Sequence, residues 1–223
     1  MKYVVVALVA LACIACAEET QNYDEMIIAN VKTTRPVSGP VLKPIEPATL
    51  AAKDKPASNA VDIAKIAQVG KTVWDIIKDG RPVQSVSSDW AGAVPKGADW
   101  TELEGFVDAR WGPFCWEYEN LWGSTVAKFS WYFSWTCKGS YNRKGAYIMN
   151  AGVAIKEIYS AWTFNVDVTA SVESNPVNYG TKANPIAGLA IQVQMKTSGL
   201  FQTYTDSCRV SLRGNCNAYY LSC

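Results

Sequence analysis

The stretch that decides the fold runs from Phe114 to Cys137 and reads FCWEYENLWGSTVAKFSWYFSWTC. In each half, aromatic residues fall on alternate positions. Successive side chains of a strand point to opposite faces of a sheet, so each half is predicted to be a strand with one aromatic face. Gly123-Ser124 lies between the halves and is typical of a two-residue turn. The stretch therefore predicts an antiparallel β-hairpin.

A turn at Gly123-Ser124 determines which residues of the hairpin face each other across the strands. It places Trp116 opposite Trp131 on one face and Glu119 opposite Lys128 on the other. On the aromatic side the further pairs are Phe114 with Phe133, Tyr118 with Phe129 and Trp122 with Thr125. Cross-strand aromatic pairs and opposite charges stabilise a sheet. This register predicts an aromatic core face and a solvated polar face.

The remainder of the chain repeats the β pattern. Trp162 to Glu173 alternates apolar and polar residues, and Leu189 to Lys196 does so again. The segments 208–213 and 216–223 flank Gly214-Asn215, a second hairpin signal. Seven or eight strands of this kind predict a mainly all-β fold, an antiparallel β-sandwich.

Asn59 to Asp79 is predicted to form one N-terminal amphipathic helix. Its apolar residues recur at three- and four-residue steps and make a single stripe. They are Ile63, Ile66, Gly70, Val73 and Ile77. Ser58 or Asn59 can cap the start of this helix, and Gly80 can end it. The helix and the strands are expected to form one domain over 58–223.

The first 57 residues are predicted to lie outside this domain. Residues 1–17 have a positive start, an apolar run and the small-residue site Ala15-Cys16-Ala17, which together are typical of a cleaved secretory signal. Residues 18–57 are rich in proline and poor in aromatic residues, so we expect this segment to be disordered. The protein is accordingly expected to be secreted and extracellular.

After removal of the signal, five cysteines remain, at 115, 137, 208, 216 and 223. In an oxidising compartment most of them should form disulfides, and the odd number leaves one cysteine unpaired. An unpaired cysteine would allow two chains to be linked. Cys208 and Cys223 fall on one face of the Gly214-Asn215 hairpin, so this pair is the favoured disulfide.

The chain contains no histidine, which excludes catalytic triads and most catalytic zinc sites. Glu117 and Glu119, two residues apart on one strand face, are the best candidate pair of catalytic acids, but this face is expected to be solvated. No phosphate-binding loop, nucleotide motif or metal-binding spacing is present in the sequence, so no cofactor and no metal are expected. The mature chain would carry 20 basic residues (21 less Lys2) and 20 acidic ones, which argues against nucleic acid as a partner.

Tryptophans in loops or at strand ends are the candidate ligand-binding residues. They are Trp90, Trp100, Trp111 and Trp122. Exposed aromatic rings can stack on sugars or insert into lipid. The alternative is that the aromatic residues only form the core. We expect a non-enzymatic binding module that recognises a glycan, a lipid surface or a protein.

Two other functions are compatible with the sequence. Residues 160–174 and 186–198 are amphipathic, and each exceeds the ~9–11 residues that a tilted strand needs to cross a bilayer, which would suit a pore. The layout of an amphipathic helix followed by a tryptophan-rich β-domain resembles actinoporin-like cytolysins, and this resemblance implies pore formation and membrane contact. The third function is a carboxylate-dependent glycosidase that uses Glu117 and Glu119.

Overall fold

The computed structural model describes residues 26–44, 61–83, 89–173 and 175–223. The described strands are β1 (Ile28–Thr34), β2 (Val41–Pro44), β3 (Asp62–Gly70), β4 (Val73–Lys78), β5 (Arg81–Pro82), β6 (Ala91–Lys96), β7 (Val107–Asn120), β8 (Thr125–Tyr141), β9 (Lys144–Ser160), β10 (Asn165–Val172), β11 (Val177–Asn178), β12 (Ala187–Ser198), β13 (Thr203–Arg213) and β14 (Ala218–Ser222). A 3-10 turn, Trp100–Glu102, precedes β7.

The strands form two antiparallel sheets. The first has the order β1-β7-β8-β9-β6-β3, with β2 beside β1 on the same edge of β7. The second has the order β14-β13-β12-β10-β4-β5, with β11 paired to β12. The prediction of a mainly β, antiparallel fold is therefore confirmed, whereas the number of strands was underestimated.

One hydrophobic core lies against both sheets. The first sheet contributes the aromatic faces of β7 and β8, including Phe114, Trp116 and Trp131. The second sheet contributes the apolar faces of β10 and β12, including Val168 and Ile191. Period-two alternation produces this arrangement, because every second side chain of each strand is directed at the core.

The predicted hairpin register is wrong by two residues. Trp116 faces Phe129, and Phe114 faces Trp131. The turn contains four residues, 121–124, because the side chain of Asn120 accepts hydrogen bonds from the backbone N–H groups of Trp122 and Ser124. A shift of two residues leaves every side chain on its predicted face, so the aromatic core face is retained.

The register changes the ion pairs of the polar face. Glu119 pairs with Lys32 of β1 instead of Lys128. Lys128 pairs with Glu157 of β9 at 3.1 Å. These charges therefore connect β7 and β8 to their outer neighbours rather than to each other.

The predicted N-terminal helix is also wrong. Its described part forms β3 and β4, separated by a turn at Gly70, which has a φ of +84°. In β4 the buried residues Trp74 and Ile76 alternate with the exposed residues Val73 and Asp75, which is a period of two. Ile77 is buried beside Ile76 and interrupts this alternation, so the strand pattern is hard to recognise in the sequence. Valine and isoleucine favour strands. The pairing of β4 with β10 therefore outweighs the preference for a helix that the spacing of the apolar residues indicates.

Part of the segment predicted to be disordered is ordered. Residues 28–34 and 41–44 pair with the edge of β7. Ile28 is buried, and its carbonyl accepts a hydrogen bond from the hydroxyl of Tyr204 at 3.0 Å. A few apolar residues among the prolines are enough for this segment to form strands, because β7 offers a free edge for backbone hydrogen bonds. The proposed signal at 1–17 and the segments 18–25 and 45–57 lie outside the described residues.

We expect Ile28→Ala to lower the free energy of unfolding by ~2–4 kcal/mol, because it leaves a cavity beneath β1. Val41→Ala is the matched control, since Val41 lies on β2 with its side chain exposed, and it should have a small effect. Urea unfolding of both variants measures the difference. Equal midpoints would contradict the docking of β1 on the core.

Candidate functional site

The four tryptophans predicted to bind ligand are not brought together. Trp122 lies in the β7–β8 turn and is 63% exposed. Trp100 is also exposed, but it belongs to the 3-10 turn near the other end of β8, where Glu104 pairs with Ser140. Trp90 is half-buried and precedes β6. These positions do not form one site.

Trp111 was placed wrongly as an exposed residue. It is only 4% exposed, and its indole N–H donates to the carbonyl of Ser38 at 2.9 Å. Its ring contacts Tyr220 with centroids 4.6 Å apart. The reason is that β7 begins at Val107, seven residues before the predicted strand, which puts Trp111 on the buried face.

Three loops meet at one end of the two sheets. They connect β7 to β8 (121–124), β9 to β10 (161–164) and β12 to β13 (199–202). The backbone N–H of Ala161 donates to the carbonyl of Val126 at 2.9 Å, which joins the second loop to the base of the first. The ladder of β10 and β12 ends where Asn165 faces Ser198, so the third loop lies beside the second.

These loops expose large apolar side chains. Trp162 is 90% exposed and Leu200 is 66% exposed. Leu121 and Trp122 are exposed in the neighbouring turn. We call Leu121, Trp122, Trp162 and Leu200 the apolar loop end. Several large exposed apolar side chains at one end of a folded protein indicate an interaction site, whereas single exposed apolar residues are common on protein surfaces.

The apolar loop end has a well-packed base. The Ser160 hydroxyl donates to the carbonyl of Phe164, which closes the second loop. A Cβ atom added at Gly199 would lie 2.8 Å from the ring of Phe164, so the second and third loops are in close contact. The backbone N–H of Ile28 donates to the side-chain oxygen of Gln202 at 3.2 Å. The exposed rings therefore project from a structured support.

The turn between β4 and β5 adds a small positive charge at this end. The N–H of Gly80 donates to the carbonyl of Val166 at 2.9 Å, which places the turn beside the start of β10. Lys78 and Arg81 are exposed, and neither forms an ion pair with a described carboxylate. With Asp79 between them, the turn carries a net charge of +1 (two cations less one anion).

Glu117 and Glu119, the pair proposed for a glycosidase, are both engaged by neighbouring side chains. The hydroxyl of Thr125 donates to Glu117 at 2.7 Å. Lys32 and Asn30 donate to Glu119, and the hydrogen bond from Lys32 holds the pKa of this carboxyl below its ordinary value. A general acid needs a raised pKa, so Glu119 is tuned in the opposite direction.

Four of the five described cysteines form two disulfides. Cys137 of β8 is bonded to Cys216, and Cys208 of β13 is bonded to Cys223, the pair that the hairpin geometry favours. Cys115 is the free cysteine among the described residues and lies half-buried on the polar face of β7. Burial raises the pKa of the Cys115 thiol, which keeps it in the less reactive protonated form at neutral pH.

The described ranges lack two further kinds of functional feature. Within them, no group of three or more Cys, Asp or Glu side chains is placed to hold a metal ion. No helix in the same ranges is long and apolar enough to span a bilayer.

No family model, curated protein or solved structure matches this chain. The layout behind the resemblance to actinoporin-like cytolysins begins with a helix, and the structure has the strands β3 and β4 in its place. The function is therefore argued from the geometry of the chain itself.

Proposed function

We propose that this protein is a secreted, non-enzymatic module, a disulfide-stabilised β-sandwich that binds a lipid surface through the apolar loop end. The observation that carries the proposal is the exposure of Trp122 and Trp162 on adjacent loops. Tryptophan favours the boundary between hydrocarbon and water, because its ring is apolar while its indole N–H can hydrogen-bond to the headgroup region.

Transfer of these side chains from water supplies the driving force. Burial of a large apolar side chain is worth roughly 1.5–3 kcal/mol. The free energy gained by burying two tryptophans and two leucines exceeds the entropic cost of ordering a few loops. This cost is small because hydrogen bonds from the sheets already hold the loops in place. Attachment is therefore expected to be shallow and reversible, limited to the loop tips.

Charge makes a small contribution to the proposed binding. The β4–β5 turn carries one net positive charge, and attraction to anionic lipid is worth about 1 kcal/mol per basic residue near the surface. Such attraction is screened by salt, whereas apolar insertion is not. We expect binding to zwitterionic vesicles that changes little with salt concentration.

The two disulfides are consistent with an extracellular module, since such bonds persist in oxidising compartments. Pore formation by 160–174 and 186–198 would require a large rearrangement. The apolar side chains of β10 and β12, such as Val168 and Ile191, lie in the shared core, so both strands would have to leave it. Surface attachment requires no such change.

We expect the Trp122→Ala, Trp162→Ala double variant to bind phosphatidylcholine vesicles about 100-fold more weakly than the parent, from about tenfold per ring. Flotation of the mature protein with dye-loaded vesicles measures binding and leakage together. Trp100→Ala is the matched control, because its ring is exposed at the other end of the sheets, and it should bind normally.

Each outcome of this experiment is decisive. Equal binding by the double variant and the parent would overturn the role of the apolar loop end. Failure of the parent to float would overturn lipid binding, and a glycan array would then test the other class of ligand. Rapid dye release by the parent would replace surface attachment by pore formation.

A further inference from the structure

A groove crosses the outer face of β7, β8 and β9, on the side away from the core. It has a volume of about 620 Å³. The polar and charged side chains that line it are Asp108, Arg110, Tyr132, Ser134, Thr136 and Asn150. The strand register places Asp108 opposite Thr136 and Arg110 opposite Ser134, so these side chains occupy two neighbouring rows across the sheet.

Arg110 is a cation without an anionic partner. Its guanidinium lies 3.7 Å from the centre of the Tyr132 ring. It forms no ion pair with any described carboxylate, although Asp108 is only two residues away on the same strand face. A guanidinium that is fixed on an aromatic ring is well placed to bind a planar carboxylate through two hydrogen bonds.

Asp108 is held in place by a different neighbour. The hydroxyl of Thr136 donates to its Oδ1 at 3.0 Å. The second oxygen, Oδ2, has no hydrogen-bond donor among the described residues. A carboxylate oxygen in this state accepts strongly from a hydroxyl group.

Asn150 completes the polar lining from β9. Its φ is +49°, in the left-handed region that is rare inside a strand. The ladder between β8 and β9 is irregular around it, since Thr136 faces Met149 and Ser134 faces Gly152. Irregularities of this kind redirect a side chain, and here Asn150 is among the residues that line the groove.

We propose that this groove binds an acidic sugar, with the sugar carboxylate on Arg110 and its hydroxyl groups on Asp108 and Asn150. The groove presents an unpaired cation and an unneutralised carboxylate side by side. A neutral sugar would leave the charge of Arg110 unpaired, and Asp108 would repel a phosphate dianion more strongly than a carboxylate, which carries a single charge. A ligand with one negative charge and several hydroxyls satisfies both groups, and the volume lies within the ordinary range for small ligands.

The groove is separate from the apolar loop end. It lies on the outer face of the first sheet, whereas Trp122 and Trp162 project from the loops at its end. The proposal therefore does not depend on lipid binding, and either one can fail alone.

Isothermal titration calorimetry of the full mature chain with glucuronate tests the proposal, and the methyl ester of glucuronic acid, which lacks the charge, is the ligand control. We expect millimolar or tighter binding of glucuronate and about tenfold weaker binding of the ester, as loss of a charge-assisted pair implies.

The variants test the residues of the groove. Arg110→Gln should weaken glucuronate binding by a similar factor, and Arg110→Lys should retain only part of the parent affinity. Asp108→Asn should weaken binding of both sugars. Arg143→Gln, in the exposed β8–β9 turn, is the matched control and should bind like the parent.

Absence of glucuronate binding at 10 mM, roughly the weakest affinity expected of a specific small-ligand site, would overturn the proposal. Equal affinity for glucuronate and its ester would overturn the role of the charge. Normal binding by Arg110→Gln, with an unchanged circular dichroism spectrum and melting temperature, would place the sugar elsewhere.

Discussion

Replacement of Trp131 by alanine is expected to lower the free energy of unfolding by ~3–5 kcal/mol, as for other large buried aromatic residues. Trp131 is 1% exposed and lies at the centre of the aromatic cluster. Its ring stacks on Phe129 at 4.8 Å and on Phe114 at 5.4 Å between centroids. Alanine would leave a cavity in the core, beneath β7 and β8, that the surrounding rings cannot fill without leaving their own contacts.

Two variants separate packing from other effects at this position. The indole N–H of Trp131 is buried without a hydrogen-bond partner among the described residues, so Trp131→Phe removes an unsatisfied donor and keeps a ring. We expect it to cost much less than alanine. Trp100→Ala removes an exposed ring and should change stability by roughly 0.5 kcal/mol or less.

Urea unfolding followed by tryptophan fluorescence or circular dichroism measures all three variants. The expected order of stability loss is Trp131→Ala, then Trp131→Phe, then Trp100→Ala. A neutral Trp131→Ala variant would show that the aromatic face is not the core and would contradict the packing of the two sheets against each other.

Alternation along the chain was sufficient to predict which faces of the hairpin are buried. A period of two depends only on local geometry, so Trp116 and Trp131 could be assigned to the core without knowledge of their neighbours. Alternation alone does not determine the register, because the register depends on the hydrogen bonds that the Asn120 side chain accepts within the turn. A side-chain hydrogen bond of this kind is not visible in a pattern of apolar and polar residues.

The error over 59–79 has a different cause. Five apolar positions fit a helical stripe, yet the same segment fits two strands around Gly70. Local periodicity cannot choose between these structures when the apolar residues are β-branched. Pairing of β3 with β6 and of β4 with β10 decides the outcome, and both partners are distant in sequence.

The candidate site was the least predictable feature. Trp162 shares its parity with Phe164 and Val166, which are buried, so alternation assigned it to the same strand face as these core residues. The strand begins only at Asn165, after a turn in which the N–H of Phe164 donates to the carbonyl of Ala161. The apolar loop end combines residues about 40 positions apart in sequence, which only the sheet topology brings to the same end.

The second large effect is expected from the disulfides. Cys137–Cys216 closes a separation of 79 residues, and Cys208–Cys223 closes one of 15. In the chain-entropy model, these closures are worth roughly 4.5 and 3 kcal/mol. The longer bridge also ties β8 of the first sheet to the turn before β14 of the second, so its loss removes a covalent link between these two distant parts of the unfolded chain.

We therefore expect the Cys137→Ala, Cys216→Ala variant to be less stable than the Cys208→Ala, Cys223→Ala variant, by about 1–2 kcal/mol from the difference in loop length. Burial should increase this difference in stability, because Cys137 and Cys216 are both core residues whereas Cys223 is only partly buried. Guanidinium unfolding without reductant, with Cys115 unchanged in both proteins, measures the difference. The reverse order would show that the packing of β14 against β13, rather than closure of the long loop, dominates the stability of this end of the molecule.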